Sequence, residues 1–216
     1  LNGKTRLDEN WQIEGSAYIR SLQQRHVDGN DAEFERCSNS SSFVGRLCLE
    51  DDGFPRPVPF TGAAALNFRN QFAILDQSNA SIAFTPGAIY GTVDRTFTDS
   101  SSRGVTLQVT GNAPLFGLTN YVTAGFSVDS SAIAFRSTST LARIFPSFEV
   151  AVDPALTGSG SVIHANGSIG YAPVTLGATT DYYGFYLVDA LDLTDRLTLT
   201  AGLRVNAADI VTRDRS

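Results

Sequence analysis

Alternation of apolar and polar residues is the feature that most limits what this chain can fold into. Near the C-terminus, threonine, glycine, arginine and asparagine separate the apolar residues Leu197, Leu199, Ala201, Leu203 and Val205. A period of two places successive side chains on opposite faces of a β-strand. The segment therefore predicts a strand with one wholly apolar face, and because helical periodicity is scarce elsewhere, we expect an all-β chain.

Four other segments have the same extended character. Together with the first they make five predicted strands, at residues 11–20, 105–110, 122–129, 182–193 and 197–206. Alternation is irregular in 182–193, so the facing of that strand stays open. Short turns near 113–118 and 193–196 predict two hairpins. The connections at about 28–102 and 136–178 are long and rich in glycine, serine, asparagine and proline.

Short and long connections alternate along the chain, and this order favours one kind of β-protein. Long structureless loops are uncommon in compact soluble domains. Outer-membrane barrels join their strands by short periplasmic turns and long extracellular loops. The pattern thus predicts antiparallel up-and-down strands that form part of a large transmembrane β-barrel, with lipid on the apolar face. The polar residues Arg20, Gln108, Arg204 and Asn206 would then face the lumen.

Charge and hydropathy exclude two classes of protein. The 16 basic and 22 acidic residues give a net charge of -6, which argues against a nucleic-acid binder. No run approaches the roughly 20 apolar residues of a membrane-spanning helix, whereas a barrel strand needs only about 10 alternating residues. The chain has no methionine, so we expect a processed product or a piece of a longer protein.

Residues 181–206 resemble the barrel hairpin of TonB-dependent outer-membrane receptors. The shared pattern is an aromatic and glycine start, an aspartate within the strand, a Leu-Thr turn and a Leu-Thr-Leu-Thr-x-Gly-x-Arg strand. Residues 102–110 and 120–129 are similar to another hairpin of that family. The resemblance covers about half of the chain. Val205 stands where the family commonly has tyrosine, and 54–100 has no counterpart.

The resemblance implies a role in transport. Family members take up a scarce, large nutrient such as a ferric siderophore, a cobalamin or a glycan, driven through the TonB complex. The plug domain and TonB-binding box of the family are not in this sequence, so residues 1–216 would be one partial barrel domain from a barrel of about 22 strands. The implied partners are TonB through the plug region, a small-molecule substrate such as a metal chelate, and lipid of the bacterial outer membrane.

The alternative from another class is a secreted soluble β-sandwich that binds carbohydrate or a protein partner. A sandwich also alternates, but it buries its apolar face between two sheets. We expect no enzyme, because the two histidines, His26 and His164, have no nucleophile-elbow pattern beside them. We also expect no cofactor.

Cys37 and Cys48 are the only cysteines and lie in the first long loop. In an exported protein they predict a disulfide worth about 3 kcal/mol, with two free thiols as the alternative. A zinc site would need four ligands, and the loop adds only His26.

Two clusters of residues are candidate sites. The acidic residues Asp28, Asp31, Glu33 and Glu35, with 50–52, lack the spacing of a calcium loop, so a solvated face is expected. Tyr182, Tyr183, Phe185 and Tyr186 predict an aromatic girdle at a membrane interface.

Overall fold

The computed structural model describes residues 1–50, 61–112, 114–167 and 170–216. About 66% of these residues are in strands and one short helix is present, and the prediction of an all-β, antiparallel up-and-down chain is confirmed. The elements in chain order are β1 (Asn2–Arg6), β2 (Trp11–Asp31), β3 (Phe34–Arg36), β4 (Leu47–Leu49), α1 (Gly62–Asn70), β5 (Ile74–Asp76), β6 (Tyr90–Asn112), β7 (Asn120–Ile144), β8 (Val150–Ala151), β9 (Val162–Ala165), β10 (Val174–Thr194) and β11 (Leu197–Asp214).

The principal sheet has its long strands in the order β1-β2-β6-β7-β10-β11, so neighbours along this path follow each other in the chain. The short strands β5, β8 and β9 extend it, and β3 pairs with β4 separately. β1 was not predicted from the sequence because Asn2–Arg6 has no apolar alternation. Its backbone pairs with β2, from Asn2 opposite Ser16 to Arg6 opposite Gln12.

All five predicted strands are present, but they are longer than the alternating segments. β2 runs to Asp31, β6 begins at Tyr90, β7 ends at Ile144 and β10 begins at Val174. The predicted loop boundaries of 28–102 and 136–178 are therefore wrong, and the connections are 32–89 and 145–173. The sequence hides the extra length because polar residues follow one another in these parts, whereas backbone pairing does not depend on side-chain type.

Three short turns lie at the same end of the long strands. In the β1–β2 turn, Asp8 Oδ1 accepts hydrogen bonds from the backbone N–H groups of Asn10 and Trp11, at 2.8 and 2.7 Å. The β6–β7 turn has Phe116 and Gly117 at φ angles of 55° and 79°. Asp195 and Arg196 form the β10–β11 turn. Backbone bonds of 2.9 Å from Asn112 to Asn10 and from Asp192 to Thr119 join these turn regions.

The chain divides into two compact units. Unit 1 comprises Leu1–Gln23, Asp99–Ala134 and Gly177–Arg213, and unit 2 comprises Gln24–Thr98, Phe135–Leu176 and Asp214–Ser216. Unit 1 consists of sheet and short turns. Unit 2 contains the described parts of both long connections.

Unit 2 has its own core, and both long connections contribute residues to it. Leu47, Ile74, Leu141 and Ile163 are completely buried in one cluster. A second cluster packs the two cysteines with Phe72, Ala73 and Leu75. Helix α1, in the alanine-rich run after Thr61, buries Ala65. Of the segment 54–100, residues 54–60 lie outside the described residues, and the remainder includes α1, β5 and the start of β6.

Among the described residues, no helix combines the length and the apolar character that crossing a membrane requires.

Candidate functional site: the two faces of unit 1

One face of unit 1 carries side chains that bridge across glycines. The hydroxyl of Tyr18 on β2 donates a 2.7 Å hydrogen bond to Asp129 Oδ1 on β7. β6 lies between these strands, and a Cβ on its Gly104 would lie 2.2 Å from the Asp129 carboxylate and 2.5 Å from the Tyr18 ring. Glycine at this position therefore lets the two long side chains meet over the middle strand.

The same arrangement recurs one strand further along the sheet. Tyr186 on β10 donates a 2.5 Å hydrogen bond to Gln108 Oε1 on β6. On the intervening strand β7, a Cβ added to Gly125 would lie 2.4 Å from the Tyr186 ring. This second bridge places Gln108 and Tyr186 on one face.

The four lumen-facing candidates share this face, which we call the polar face. Arg20 places its guanidinium carbon 5.9 Å from the centroid of the Tyr18 ring. Gln108 bonds to Tyr186 as described, and Arg204 Nε donates to Asn206 Oδ1 at 3.1 Å. Asn206 Oδ1 also lies 3.3 Å from the Cβ position of Gly184 on β10. The sequence parity therefore groups these residues correctly, although whether they line a lumen stays a prediction.

The opposite face of unit 1, the apolar face, is open. Five of its aliphatic residues are more than half exposed, with fractions of 91% for Ile19, 51% for Val105, 58% for Leu199, 59% for Leu203 and 55% for Val205. Between β2, β6, β7 and β10 this face forms a groove of about 880 Å³. Its apolar lining includes Ala17, Ile19, Val105, Val128 and Tyr183, and Arg103, Ser130 and Asp181 also line it. Apolar side chains from four strands thus form one exposed surface.

The facing of β10, which the sequence left open, follows from these contacts. Tyr186 bonds to Gln108 on the polar face, whereas Tyr183 lines the apolar groove. The clustered aromatics therefore divide between the faces, with Tyr183 and Phe185 on the apolar face and Tyr182 and Tyr186 on the polar one. An aromatic girdle contacts lipid, so of the four aromatics only Tyr183 and Phe185 lie on the face that a girdle would need.

At the turn end of the apolar face, the one tryptophan of the chain covers a glycine. The Trp11 ring lies 2.3 Å from the position that a Cβ on Gly111 would take.

The sequence did not predict any of the three aromatic–glycine contacts, which are between Tyr18 and Gly104, Tyr186 and Gly125, and Trp11 and Gly111. The usable signal was the glycine within each otherwise regular strand, which marks close approach of another group.

In unit 2, Cys37 and Cys48 form a disulfide. Both sulfurs belong to buried residues, at 2% and 4% exposure, in the cluster with Phe72. β3 and β4 bring the two cysteines together, since Glu35 pairs with Cys48 and Arg36 with Leu47. The disulfide therefore closes the hairpin between two segments of the first long connection.

The two histidines of unit 2 have separate surroundings. A ring nitrogen of His164 lies 3.1 Å from Asn79 Oδ1, and His26 lines a different part of the unit. Within the described ranges, no group of three or more histidine, cysteine, aspartate and glutamate side chains is arranged to hold a metal ion. Asp51 and Asp52 of the acidic cluster lie outside the described residues.

Three groups in the long connections of unit 2 have shifted pKa values. The Arg143 guanidinium, which donates a 2.8 Å hydrogen bond to Asp153 Oδ2, lowers the pKa of that carboxyl, and the Ala155 N–H adds to the effect. The Ser78 hydroxyl, 2.6 Å from Asp76 Oδ1, lowers the pKa of Asp76. Burial raises the pKa of Tyr171, and the negative charge of Asp94 adds to this rise. The carboxylates act here as acceptors that hold loops in place.

Comparisons of the chain with protein-family models, with curated proteins and with solved structures found no match.

Proposed function

We propose that this chain is part of the barrel of a TonB-dependent outer-membrane transporter. The observation that carries the proposal is the open apolar face of unit 1, where Leu199, Leu203 and Val205 are each more than half exposed. Exposed apolar surface costs roughly 25 cal/mol per Å² in water, and contiguous patches of this kind mark a binding or membrane surface. Lipid acyl chains would remove that cost along the whole face.

The polar face supports the same function. A water-filled barrel has polar residues on its inner face and apolar residues on its outer face. The hydrogen bonds of Tyr18 with Asp129 and of Tyr186 with Gln108 satisfy polar groups without burying them in an apolar core. In the alternative, a secreted β-sandwich that binds carbohydrate or a partner, a second sheet would have to cover the apolar face.

The connections give the proposed barrel a direction. The β1–β2, β6–β7 and β10–β11 connections are short, as on the periplasmic side of outer-membrane barrels, and the long connections of unit 2 would then be extracellular. The disulfide of Cys37 and Cys48 suits an extracytoplasmic compartment.

The resemblance of residues 181–206 supplies the proposed cargo, a scarce large nutrient such as a ferric siderophore, taken up with energy from TonB. Binding and passage need no covalent step by this chain, so the proposal includes no enzymatic role.

Quenching by brominated lipid tests the lipid contact directly. Because Trp11 is the only tryptophan, a Trp11→Phe background gives a chain without indole. Leu203→Trp on the apolar face and Thr200→Trp on the polar face then place single probes on one strand. We expect the protein in vesicles of brominated phosphatidylcholine to lose most of the fluorescence of the Leu203→Trp probe and little of that of the Thr200→Trp probe.

The proposal is contradicted, and the sandwich favoured, if the two probes are quenched equally. The same holds if the protein stays monomeric in water and does not bind vesicles. Transport is tested separately by deleting the gene that encodes the full protein in its own cells. Uptake of a labelled ferric siderophore should fall to the level of cells that lack TonB.

A further inference from the structure

Unit 2 contains a groove lined by three arginines from three neighbouring strands. Arg25 lies on β2, Arg95 on β6 and Arg136 on β7, strands that are adjacent in the sheet. The groove measures about 340 Å³ and includes Phe97, Ser137 and Thr138 in its lining, with no aspartate or glutamate among the lining residues. We call it the arginine groove.

Two of the three guanidiniums are held in position by neutral partners. Arg25 lies over the ring of Phe97, with 5.1 Å between the guanidinium carbon and the ring centroid. Arg95 donates a 2.9 Å hydrogen bond from Nη1 to Oγ1 of Thr140, which is buried. A guanidinium has five N–H donors, so these contacts fix the side chains and leave most of the donors available.

None of the three groove arginines forms an ion pair with a described carboxylate. The ion pair found among the described residues of unit 2 joins Arg143 to Asp153, and none of the three groove arginines takes part in one. This is unusual in a chain with a net charge of -6, where carboxylates outnumber the basic groups. Three like charges held together without a counter-charge repel one another, and an anion would relieve that repulsion.

We propose that the arginine groove binds the phosphate group of a phosphate ester. A tetrahedral phosphate presents three terminal oxygens to three guanidiniums, whereas a carboxylate has only two. Thr138, which lies on the same face of β7 as Arg136, brings a hydroxyl to the lining as a further donor. The space exceeds that of a phosphate ion, and Phe97 gives one wall an apolar surface for the esterified group.

This site is independent of the membrane location of unit 1, so either proposal can fail alone. The ester has two sources, a soluble metabolite or a lipid headgroup, and two probes separate them. Glycerol 3-phosphate represents the soluble source and dihexanoyl phosphatidic acid the lipid source. Calorimetric titration of the full protein in phosphate-free buffer measures both, with acetate as the competing carboxylate.

The double variant Arg25→Gln with Arg136→Gln removes two guanidiniums and leaves Arg95 with its Thr140 contact. We expect its affinity for glycerol 3-phosphate to fall by about tenfold for each guanidinium removed. The matched control is Arg6→Gln with Arg196→Gln, two exposed arginines of unit 1 that change the net charge equally. The control variant should bind within about twofold of the native protein.

Tighter binding of dihexanoyl phosphatidic acid than of glycerol 3-phosphate supports a lipid headgroup, and equal binding supports a soluble ester. The proposal is overturned if neither probe binds, if acetate displaces the ester at an equal concentration, or if the control variant loses as much affinity as the groove variant. Circular dichroism of both variants shows that a loss of binding does not come from unfolding.

Discussion

Tyr186 and Gln108 are hydrogen-bonded partners on strands that are not neighbours. The phenol of Tyr186 on β10 reaches across β7 to Oε1 of Gln108 on β6, at 2.5 Å, and passes over Gly125. A side chain at position 125 would separate the two groups. The contact therefore ties three strands together through one tyrosine.

Gly125→Ala should destabilise the sheet. The added Cβ would lie 2.4 Å from the Tyr186 ring, so the ring must leave Gln108 or the strands must shift. We expect a loss of about 1–3 kcal/mol in the free energy of unfolding, measured by urea titration. Gly3→Ala is the control, because nothing lies within 4 Å of its Cβ position, and it should change stability by about 0.5 kcal/mol or less. Equal effects at the two glycines would refute the tyrosine contact.

A charge on the apolar face distinguishes lipid from water. Leu203 is 59% exposed, so in water Leu203→Arg should be nearly neutral. In a bilayer the same substitution should cost about 2–4 kcal/mol near the midplane. Folding titrations into lipid vesicles measure the difference against Thr200→Arg, which adds the same charge to the polar face. A cost below about 0.5 kcal/mol at Leu203 would argue that water, and not lipid, covers this face.

Reduction of the Cys37–Cys48 disulfide should destabilise unit 2 by about 3 kcal/mol. The bond limits the unfolded chain around a hairpin whose folded contacts include Phe72 and Leu75. Protease cleavage within residues 37–48, followed with and without reductant, measures this change. A Cys37→Ala, Cys48→Ala double variant controls for the reductant, since its cleavage should be fast and unchanged by it. If reductant does not change the cleavage rate of the native protein, the disulfide contributes nothing to the stability of the hairpin.

Acid should weaken unit 2 through Asp153. Arg143 lowers the pKa of this carboxyl below the ordinary value of 3.8, so the unfolded chain takes up the proton first as pH falls. The stabilisation is complete well above pH 3.8 and is lost as the pH drops through the lower, folded-state pKa. Asp153→Asn should therefore flatten the acid limb of a plot of unfolding free energy against pH. Asp28→Asn, at an exposed position, is the control, and an unchanged acid limb in Asp153→Asn would contradict the argument.

The sequence predicted the strands where one face is apolar and failed where both faces are polar. Residues 197–206 alternate cleanly, whereas the first half of β6 carries Asp94, Arg95, Thr98 and Asp99 with no apolar face. β1 was missed for the same reason, because it is held by backbone pairing to β2. Hydrogen bonding between backbones has no side-chain signature.

The candidate site could be predicted in part. The alternation of side chains along each strand predicts that Arg20, Gln108, Arg204 and Asn206 share one face. The side-chain contacts place them on one face as well. The alternation could not assign Tyr186, because tyrosine has an apolar ring and a polar hydroxyl and suits either face. The core of unit 2 could not be predicted from the sequence, because Ile74 and Ile163 lie in strands of three and four residues. Such strands are too short to show a periodicity.

The core of unit 2 also bears on any ligand that its connections bind. Ordering a flexible loop at the moment of binding costs about 1–2 kcal/mol for each backbone residue that becomes fixed. In unit 2, the burial of Leu47, Ile74 and Ile163 and the disulfide already order much of this backbone when the chain folds. Less conformational entropy is then lost when a ligand binds. Such a surface keeps nearly the same shape when a ligand binds, so it favours ligands that already fit it. Evolution of a new specificity on it would proceed by exchanging exposed side chains, with the hairpin and helix beneath them unchanged.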